Sequence, residues 1–147
     1  MSRPEVVAWF DAHWYPAFSQ ADGPGWDALP RRDRVLALAG AVIDAFVGSD
    51  RYTLYRQAAG RHADEMAGAF EAVGLPEEAA ALRAINAAFP GGRPAADDAE
   101  RERQVDGLPG EAWAPWRALR ASFDRWVPGG ERVMLTRLYE WYHSQAE

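Results

Sequence analysis

The residues of this sequence that are best suited to bind a metal ion are its three histidines, His13, His62 and His143. Two carboxylates, Asp64 and Glu65, follow His62, and imidazole and carboxylate groups bind divalent metals when they converge on one point. Neighbouring residues of one helix point in divergent directions, however, and the sequence contains no HExxH motif. We therefore predict no metal site and place the histidines at the surface or at the edge of the core.

Two residue types that enzymes use for covalent chemistry are missing from this sequence. It has no cysteine, which excludes disulfides, thiolate nucleophiles and cysteine-ligated zinc. All sixteen basic residues are arginine, which excludes a Schiff-base lysine and the lysine of a P-loop. The serines lie in no nucleophile motif, and the Gly91-Gly92 and Gly129-Gly130 pairs are typical of turns. We therefore predict no catalytic residue and no cofactor.

The net charge of −6 is concentrated in the middle of the chain. Residues 62–111 contain eleven acidic residues and four arginines, whereas residues 31–61 contain six arginines and three acidic residues. This balance argues against nucleic acid as the main partner, because phosphate binding needs a basic surface. It is compatible with a basic surface on another protein.

A cluster of carboxylates marks the predicted start of a helix at Asp97. Asp97, with Glu100 three residues later, matches a capping box that has Asp in place of Ser or Thr. The helix dipole alone accounts for acidic residues at a helix start, and Arg101 and Arg103 dilute the cluster. The alternative is an acidic surface for a basic partner, with the candidate residues Asp64, Glu71, Asp97, Asp98, Glu100 and Glu102.

The aromatic content, which includes seven tryptophans, is high for a chain of 147 residues. Large rings either fill a core or anchor a binding surface, where Trp and Arg are enriched. Trp113 lies off the apolar stripe of its predicted helix, which makes it a further candidate for partner binding. A different hypothesis groups a second set of residues around an aromatic pocket for a small ligand. That set is Tyr52, Tyr55, His62 and Glu65.

Apolar residues recur with helical spacing along almost the whole chain, and no segment alternates as a β-strand does. The stripes predict helices over Val7–Phe18, Val35–Phe46, 52–73 and Pro76–Phe89, with shorter helices from Asp97, from Trp116 and over Leu135–Tyr142. Gly74 and Pro76 separate the third helix from the fourth, and Pro128-Gly129-Gly130 ends the sixth. We therefore predict an all-α, single-domain bundle of about six to seven helices over residues 1–147, in which residues 1–30 form an N-terminal helix and loop.

The composition also predicts where the protein resides. No apolar run approaches the roughly 20 residues that a membrane-spanning helix needs, and the N-terminal segment lacks the apolar core of a signal peptide. The exclusive use of arginine and the many alanines are typical of a GC-rich bacterial genome. We therefore expect a bacterial protein of the cytoplasm.

Two stretches of the sequence resemble a known bacterial family. They are FEAVGLPEEAAAL at residues 70–82 and AAFPGG at residues 87–92. Their order, a helix with a ΦxxΦG end, a second helix, FPGG and then an acidic helix, is similar to that of the DNA-mimic-protein (DMP19-like) domain family of largely uncharacterised helical proteins. The resemblance covers roughly residues 33–142, and we assign residues 31–142 to a family-like core.

The resemblance implies an all-α bundle with a role in protein interaction. In DNA mimicry, carboxylates take the positions of phosphates, so that a DNA-binding protein accepts them. With sixteen arginines and a net charge of −6, this chain can offer such mimicry only on a local face within residues 62–111. We therefore favour a non-enzymatic protein-binding module for a DNA-binding regulator or a toxin. The alternatives are a small enzyme or ligand-binding bundle, and a homodimer whose tryptophans form the subunit interface.

Overall fold

The computed structural model describes residues 4–21, 23–48, 50–126 and 132–145, and these residues form helices and connecting turns without a β-strand. The helices of the described residues are α1 (Pro4–Phe18), α2 (Arg31–Val47), α3 (Arg51–Arg56), α4 (Ala58–Arg61), α5 (Ala63–Ala72), α6 (Pro76–Ala87), α7 (Asp98–Gly107), α8 (Trp116–Phe123) and α9 (Val133–Ser144). Short 3-10 turns lie at Pro90–Gly92 and Gly110–Trp113. The predicted all-α class is confirmed, and the helices are more numerous than predicted.

The additional helices arise because the predicted third helix, residues 52–73, is interrupted twice. The backbone is extended at Gln57, with a ψ of −179°, and it leaves the helical conformation again at His62, with a φ of −109° and a ψ of 35°. Tyr55 and Ala59, on either side of the first break, are both completely buried. The prediction of one continuous helix was therefore wrong, although its buried face was predicted correctly.

Helix α2 lies at the centre of the bundle and contacts α1, α3, α5, α8 and α9. Every residue from Val35 to Ile43 is buried. Small residues in this run let neighbouring helices approach closely, most clearly at Gly40, where an added Cβ would lie 3.0 Å from the Cβ of Trp14. Helix α1 therefore packs directly on the backbone of α2.

The connection from α1 to α2 packs against α5 and is hydrogen-bonded to it. Trp26 in this connection is buried, and its ring stacks on the imidazole of His62 with 4.6 Å between the ring centres. The indole N–H of Trp26 donates to Glu65 Oε1 at 3.3 Å, and the carbonyl of Ala21 lies 3.0 Å from Nε2 of His62. The imidazole and the carboxylate thus hold the connection in place.

The hairpin of α5 and α6 follows the predicted turn chemistry. Gly74 adopts a φ of +82°, a conformation that favours glycine because it has no Cβ. The N–H of Leu75 donates to the carbonyl of Phe70 at 2.9 Å, which closes the end of α5, and Pro76 begins α6. The predicted boundary at Gly74 and Pro76 is confirmed.

Helices α8 and α9 complete the bundle. Phe46 of α2 stacks between Trp116 and Phe123 of α8, with ring centres 4.7 and 4.8 Å away. The predicted helix end at residues 128–130 lies outside the described residues.

Within the described residues, no helix combines the length and the apolar character needed to cross a membrane.

Candidate functional site

Tyr55, a member of the predicted ligand pocket, belongs to the core. Its side chain is completely buried, and burial raises the pKa of its hydroxyl group. The hydroxyl donates to Asn86 Oδ1 at 2.7 Å, and Asn86 Nδ2 donates in turn to the carbonyl of Ala63 at 3.1 Å. Every polar atom of this chain of hydrogen bonds has a partner, so it links α3, α5 and α6 without presenting a group to a ligand.

The Tyr55→Phe variant tests this structural role. Loss of the hydroxyl leaves the buried Asn86 carbonyl oxygen without its donor, so we expect the free energy of unfolding to fall by about 1–2 kcal/mol. Urea unfolding followed by circular dichroism measures the change. An unaltered unfolding midpoint would show that the hydrogen bond contributes nothing to stability.

The other three members of the predicted pocket are not all brought together. His62 and Glu65 line an open depression with a volume of about 690 Å³, whose rim also includes Asp64 and Gln104. Tyr52 does not line it; its ring packs edge-on against Trp113 with 5.2 Å between the ring centres. Because His62 and Glu65 already bind the connection from α1 to α2, their polar atoms are largely committed. Among the described residues, no group of three or more His, Asp or Glu side chains is arranged to hold a metal ion.

The carboxylates at the start of α7 are exposed, and the predicted cap is confirmed. Asp97 accepts a hydrogen bond from the backbone N–H of Glu100 at 2.9 Å. Asp98 accepts hydrogen bonds from Arg61 at 2.6 Å and from Arg101 at 2.8 Å. These bonds, of which the one from Arg61 has the larger effect, hold the pKa of the Asp98 carboxyl below its usual value. The Asp98 carboxyl is therefore ionised at neutral pH.

Arg101 pairs with Asp98, as expected of an arginine that dilutes the acidic cluster, but its side chain is completely buried. Its Nε donates to the carbonyl of Tyr55 at 2.7 Å. The other guanidinium nitrogens donate to four more backbone carbonyls at 2.9–3.2 Å, those of Arg56, Gln57, Ala95 and Ala96. The guanidinium is buried because the carbonyls freed by the break at Gln57 need donors, and the guanidinium supplies them.

With Arg101 inside, α7 presents a mainly acidic surface. We call its five exposed carboxylates the acidic face: Asp97, Asp98, Glu100, Glu102 and Asp106. Four arginines pair with members of this face: Arg61 and the buried Arg101 with Asp98, Arg103 with Glu100, and Arg56 with Asp106. The acidic face and these four partners together carry a net charge of −1.

The two remaining acidic candidates lie on α5, outside the acidic face. Asp64 is exposed at the depression that Gln104 of α7 also lines. Glu71 pairs with Arg83 of α6 at 3.0 Å, and this hydrogen bond lowers the pKa of the Glu71 carboxyl. The structure thus groups four of the six acidic candidates, places Asp64 nearby and separates Glu71.

Trp113 is not an exposed anchor, because only 4% of its surface is accessible. Its ring packs edge-on against Tyr55 and Phe89, with ring centres 5.5 and 6.2 Å away. Its position relative to the helical stripe did not predict its exposure, because Trp113 ends a 3-10 turn rather than lying within an α-helix. The exposed tryptophan of the described residues is Trp126, at 57%.

A second opening, which the sequence analysis did not single out, borders the acidic face. We call it the aromatic cleft; it has a volume of about 810 Å³ and is lined by Trp14, Tyr15, Phe18, Ser19, Asp44, Arg56, Gln57, Ala58, Arg61 and Asp98. One feature of the sequence indicates the position of this cleft. Asp44 is the only charged residue between Arg34 and Asp50, in a run that is otherwise apolar or small. A lone carboxylate on a core helix marks a place where the helix meets solvent or a polar partner.

Comparison with known proteins identifies the family. A family model described as DMP19-like protein matches residues 27–145, from the connection before α2 to the end of α9. No curated protein and no solved structure matches the chain. The match includes both stretches on which the resemblance was based, 70–82 and 87–92, and begins slightly earlier than predicted. Since it covers well over half of the sequence, the chain belongs to the DMP19-like protein family.

Proposed function

We propose that this protein is a non-enzymatic binding module that binds a basic surface of another protein through its acidic face. The observation that carries the proposal is the inward orientation of Arg101. Because this guanidinium is buried, α7 presents carboxylates at 97, 98, 100, 102 and 106 and a single exposed arginine of its own, Arg103. A surface of one dominant sign attracts a partner of the opposite sign and steers its approach.

The spacing of the carboxylates suits an extended basic partner. Asp98, Glu102 and Asp106 follow each other at every fourth residue, so they form one row along α7. A rise of 1.5 Å per residue separates neighbouring members of this row by about 6 Å along the helix axis. Such a row resembles a line of phosphates, which is why the DNA-contacting surface of a regulator is the partner class that we propose.

The small-enzyme or ligand-binding alternative has less support. Tyr55 lies in the core, and the polar atoms of His62 and Glu65 hold the connection from α1 to α2. An active site usually brings together several polar groups with perturbed pKa values in one pocket. The depression at His62 is open, and among the described residues no three His, Asp or Glu side chains converge there.

A double charge reversal tests the acidic face. Glu100→Lys with Glu102→Lys changes two exposed residues of α7, of which Glu100 pairs with the exposed Arg103. We expect a DNA-binding protein captured from the host lysate by the wild type to bind this variant at least about tenfold more weakly, because like charges then face each other. Isothermal titration calorimetry with the captured protein measures the affinity, and raised salt weakens wild-type binding in the same experiment.

The matched control reverses two exposed acids on other helices, with Glu77→Lys on α6 and Glu140→Lys on α9. It produces the same change in net charge at a distance from α7. Affinity lost equally in both double variants would mean that net charge alone governs binding. Affinity retained in the Glu100→Lys, Glu102→Lys variant would exclude the acidic face as the binding surface. Displacement of the regulator from labelled DNA by the wild type is the accompanying functional readout.

A further inference from the structure

Asp44 is the carboxylate of the aromatic cleft with which no cation of the described residues pairs. Asp98 in the same cleft is paired with Arg61 and Arg101, and Arg56 is paired with Asp106. The Asp44 side chain forms no hydrogen bond and no ion pair within the part of the chain that the structure describes. Partial burial removes water from this carboxyl group and so raises its pKa above the usual value.

Aromatic rings stand beside this carboxylate on α1. Trp14 and Phe18 lie one turn apart, with ring centres 5.7 Å from each other, and Tyr15 meets the Trp14 ring edge-on at 5.6 Å. The Tyr15 side chain is 61% exposed although it is large and mostly apolar. The cleft therefore combines exposed ring surface with a carboxylate that pairs with no cation of the described residues, and this combination attracts an organic cation.

We propose that the aromatic cleft binds an arginine side chain of the partner protein, with its guanidinium between the aromatic rings and the Asp44 carboxylate. The proposal rests on the proposed function, because it names the side chain by which a basic partner is recognised. Arginine fits better than lysine for three reasons. Its guanidinium is planar and stacks on rings, it is less strongly hydrated than an ammonium group, and it donates two parallel hydrogen bonds to one carboxylate.

The cleft is also positioned to act together with the acidic face. Asp98 belongs to both, so the two surfaces are continuous. The arginines Arg56 and Arg61 line the cleft as well, but the carboxylates of Asp106 and Asp98 engage them. A basic partner lying along α7 can therefore insert one arginine between α1 and α2 without displacing an existing ion pair.

A small probe tests the cleft without the partner. N-acetylarginine amide is titrated into the isotopically labelled protein at 0.15 M salt, and backbone and indole chemical shifts are followed by NMR. We expect saturable shifts at residues 14–18 and 44 with a dissociation constant in the millimolar range, which is typical of one cation held by rings and a carboxylate. N-acetylcitrulline amide has the same shape without the charge, and it is expected not to bind.

Two variants make the test specific. Asp44→Asn and Tyr15→Ala are each expected to weaken binding of the arginine probe, Asp44→Asn by about tenfold or more, because a hydrogen bond to an ionised group is lost. Asp11→Asn, an identical change at an exposed position of α1 outside the cleft, is the control and should bind as the wild type does. Asp44→Asn is also expected to keep or raise the melting temperature, since it removes a poorly solvated charge.

The outcomes separate this proposal from the proposed function. The Glu100→Lys, Glu102→Lys variant should retain the arginine probe, because neither residue lines the cleft. Probe binding that survives in Asp44→Asn, or equal binding of the citrulline probe, would overturn the arginine site and leave the acidic face untouched. Equal binding of N-acetyllysine amide would overturn the assignment of a guanidinium. Loss of partner binding with intact probe binding would contradict the acidic face alone.

Discussion

The Arg101→Met variant is expected to lose about 3–5 kcal/mol of its free energy of unfolding, the loss that follows when a buried, fully bonded charge is removed from its partners. Arg101 is 0% exposed and donates to five backbone carbonyls as well as to Asp98. Methionine fills much of the volume but has no N–H group, so the buried carbonyls lose their donors. Urea unfolding monitored by circular dichroism measures the loss.

Two further variants test whether the lost hydrogen bonds of Arg101 cause this loss of stability. Arg101→Lys keeps the charge but cannot reach carbonyls on three sides at once, so we expect it to recover only a small part of the loss. Arg103→Met removes an exposed guanidinium from the same helix and should leave the unfolding midpoint unchanged. An Arg101→Met protein as stable as the wild type would mean that the carbonyls at residues 55–57 find other donors.

The second large effect is expected at Gly60. An added Cβ would lie 2.0 Å from the carbonyl oxygen of Tyr55 and 2.7 Å from Nε of Arg101, and neither can move freely because the two are bonded to each other at 2.7 Å. Gly60→Ala should therefore destabilise the protein by about 1–3 kcal/mol, the usual cost of overpacking a buried site. The measurement is the same urea titration.

Gly68→Ala is the control, and it is expected to raise the stability that Gly60→Ala lowers. Gly68 lies inside α5, and nothing comes within 4 Å of an added Cβ. Alanine restricts the unfolded chain and favours the helix, so this variant should be more stable than the wild type by about 0.5–1 kcal/mol. If both glycine variants shift stability in the same direction, the close approach of Gly60 to Tyr55 is not what sets its effect.

Both predictions concern a feature that the periodicity of the sequence could not reveal. The apolar stripe of residues 52–73 continues through the breaks at Gln57 and His62, because each break turns the chain without exposing its buried face. A continuous helix and a helix with these two breaks therefore have the same spacing of apolar residues in the sequence. At Gln57 the difference lies in Arg101, more than 40 residues away in the sequence, whose guanidinium replaces the hydrogen bonds that the backbone gives up there.

The same long-range contact changes the interpretation of the acidic cluster. In the sequence, Arg101 stands among carboxylates and looks like one more surface charge. In the structure, its side chain is buried, so Arg103 is the exposed arginine that α7 itself contributes. Trp113 shows the converse, since a ring placed off the predicted stripe is packed against Tyr55 and Phe89. Exposure of a single side chain depends on what packs over it, which local spacing does not encode.

The sequence by itself determined the properties that depend on neighbouring residues. Helical periodicity set the all-α class, Gly74 and Pro76 set the turn between α5 and α6, Asp97 set the start of α7, and the stretches at 70–82 and 87–92 identified the family. The tertiary structure alone decided which charges face outward and which rings meet. The breaks in the third predicted helix, the burial of Arg101 and the cleft lined by both Tyr15 and Asp44 all involve residues far apart in the chain. Such arrangements depend on how the helices pack rather than on how each one forms.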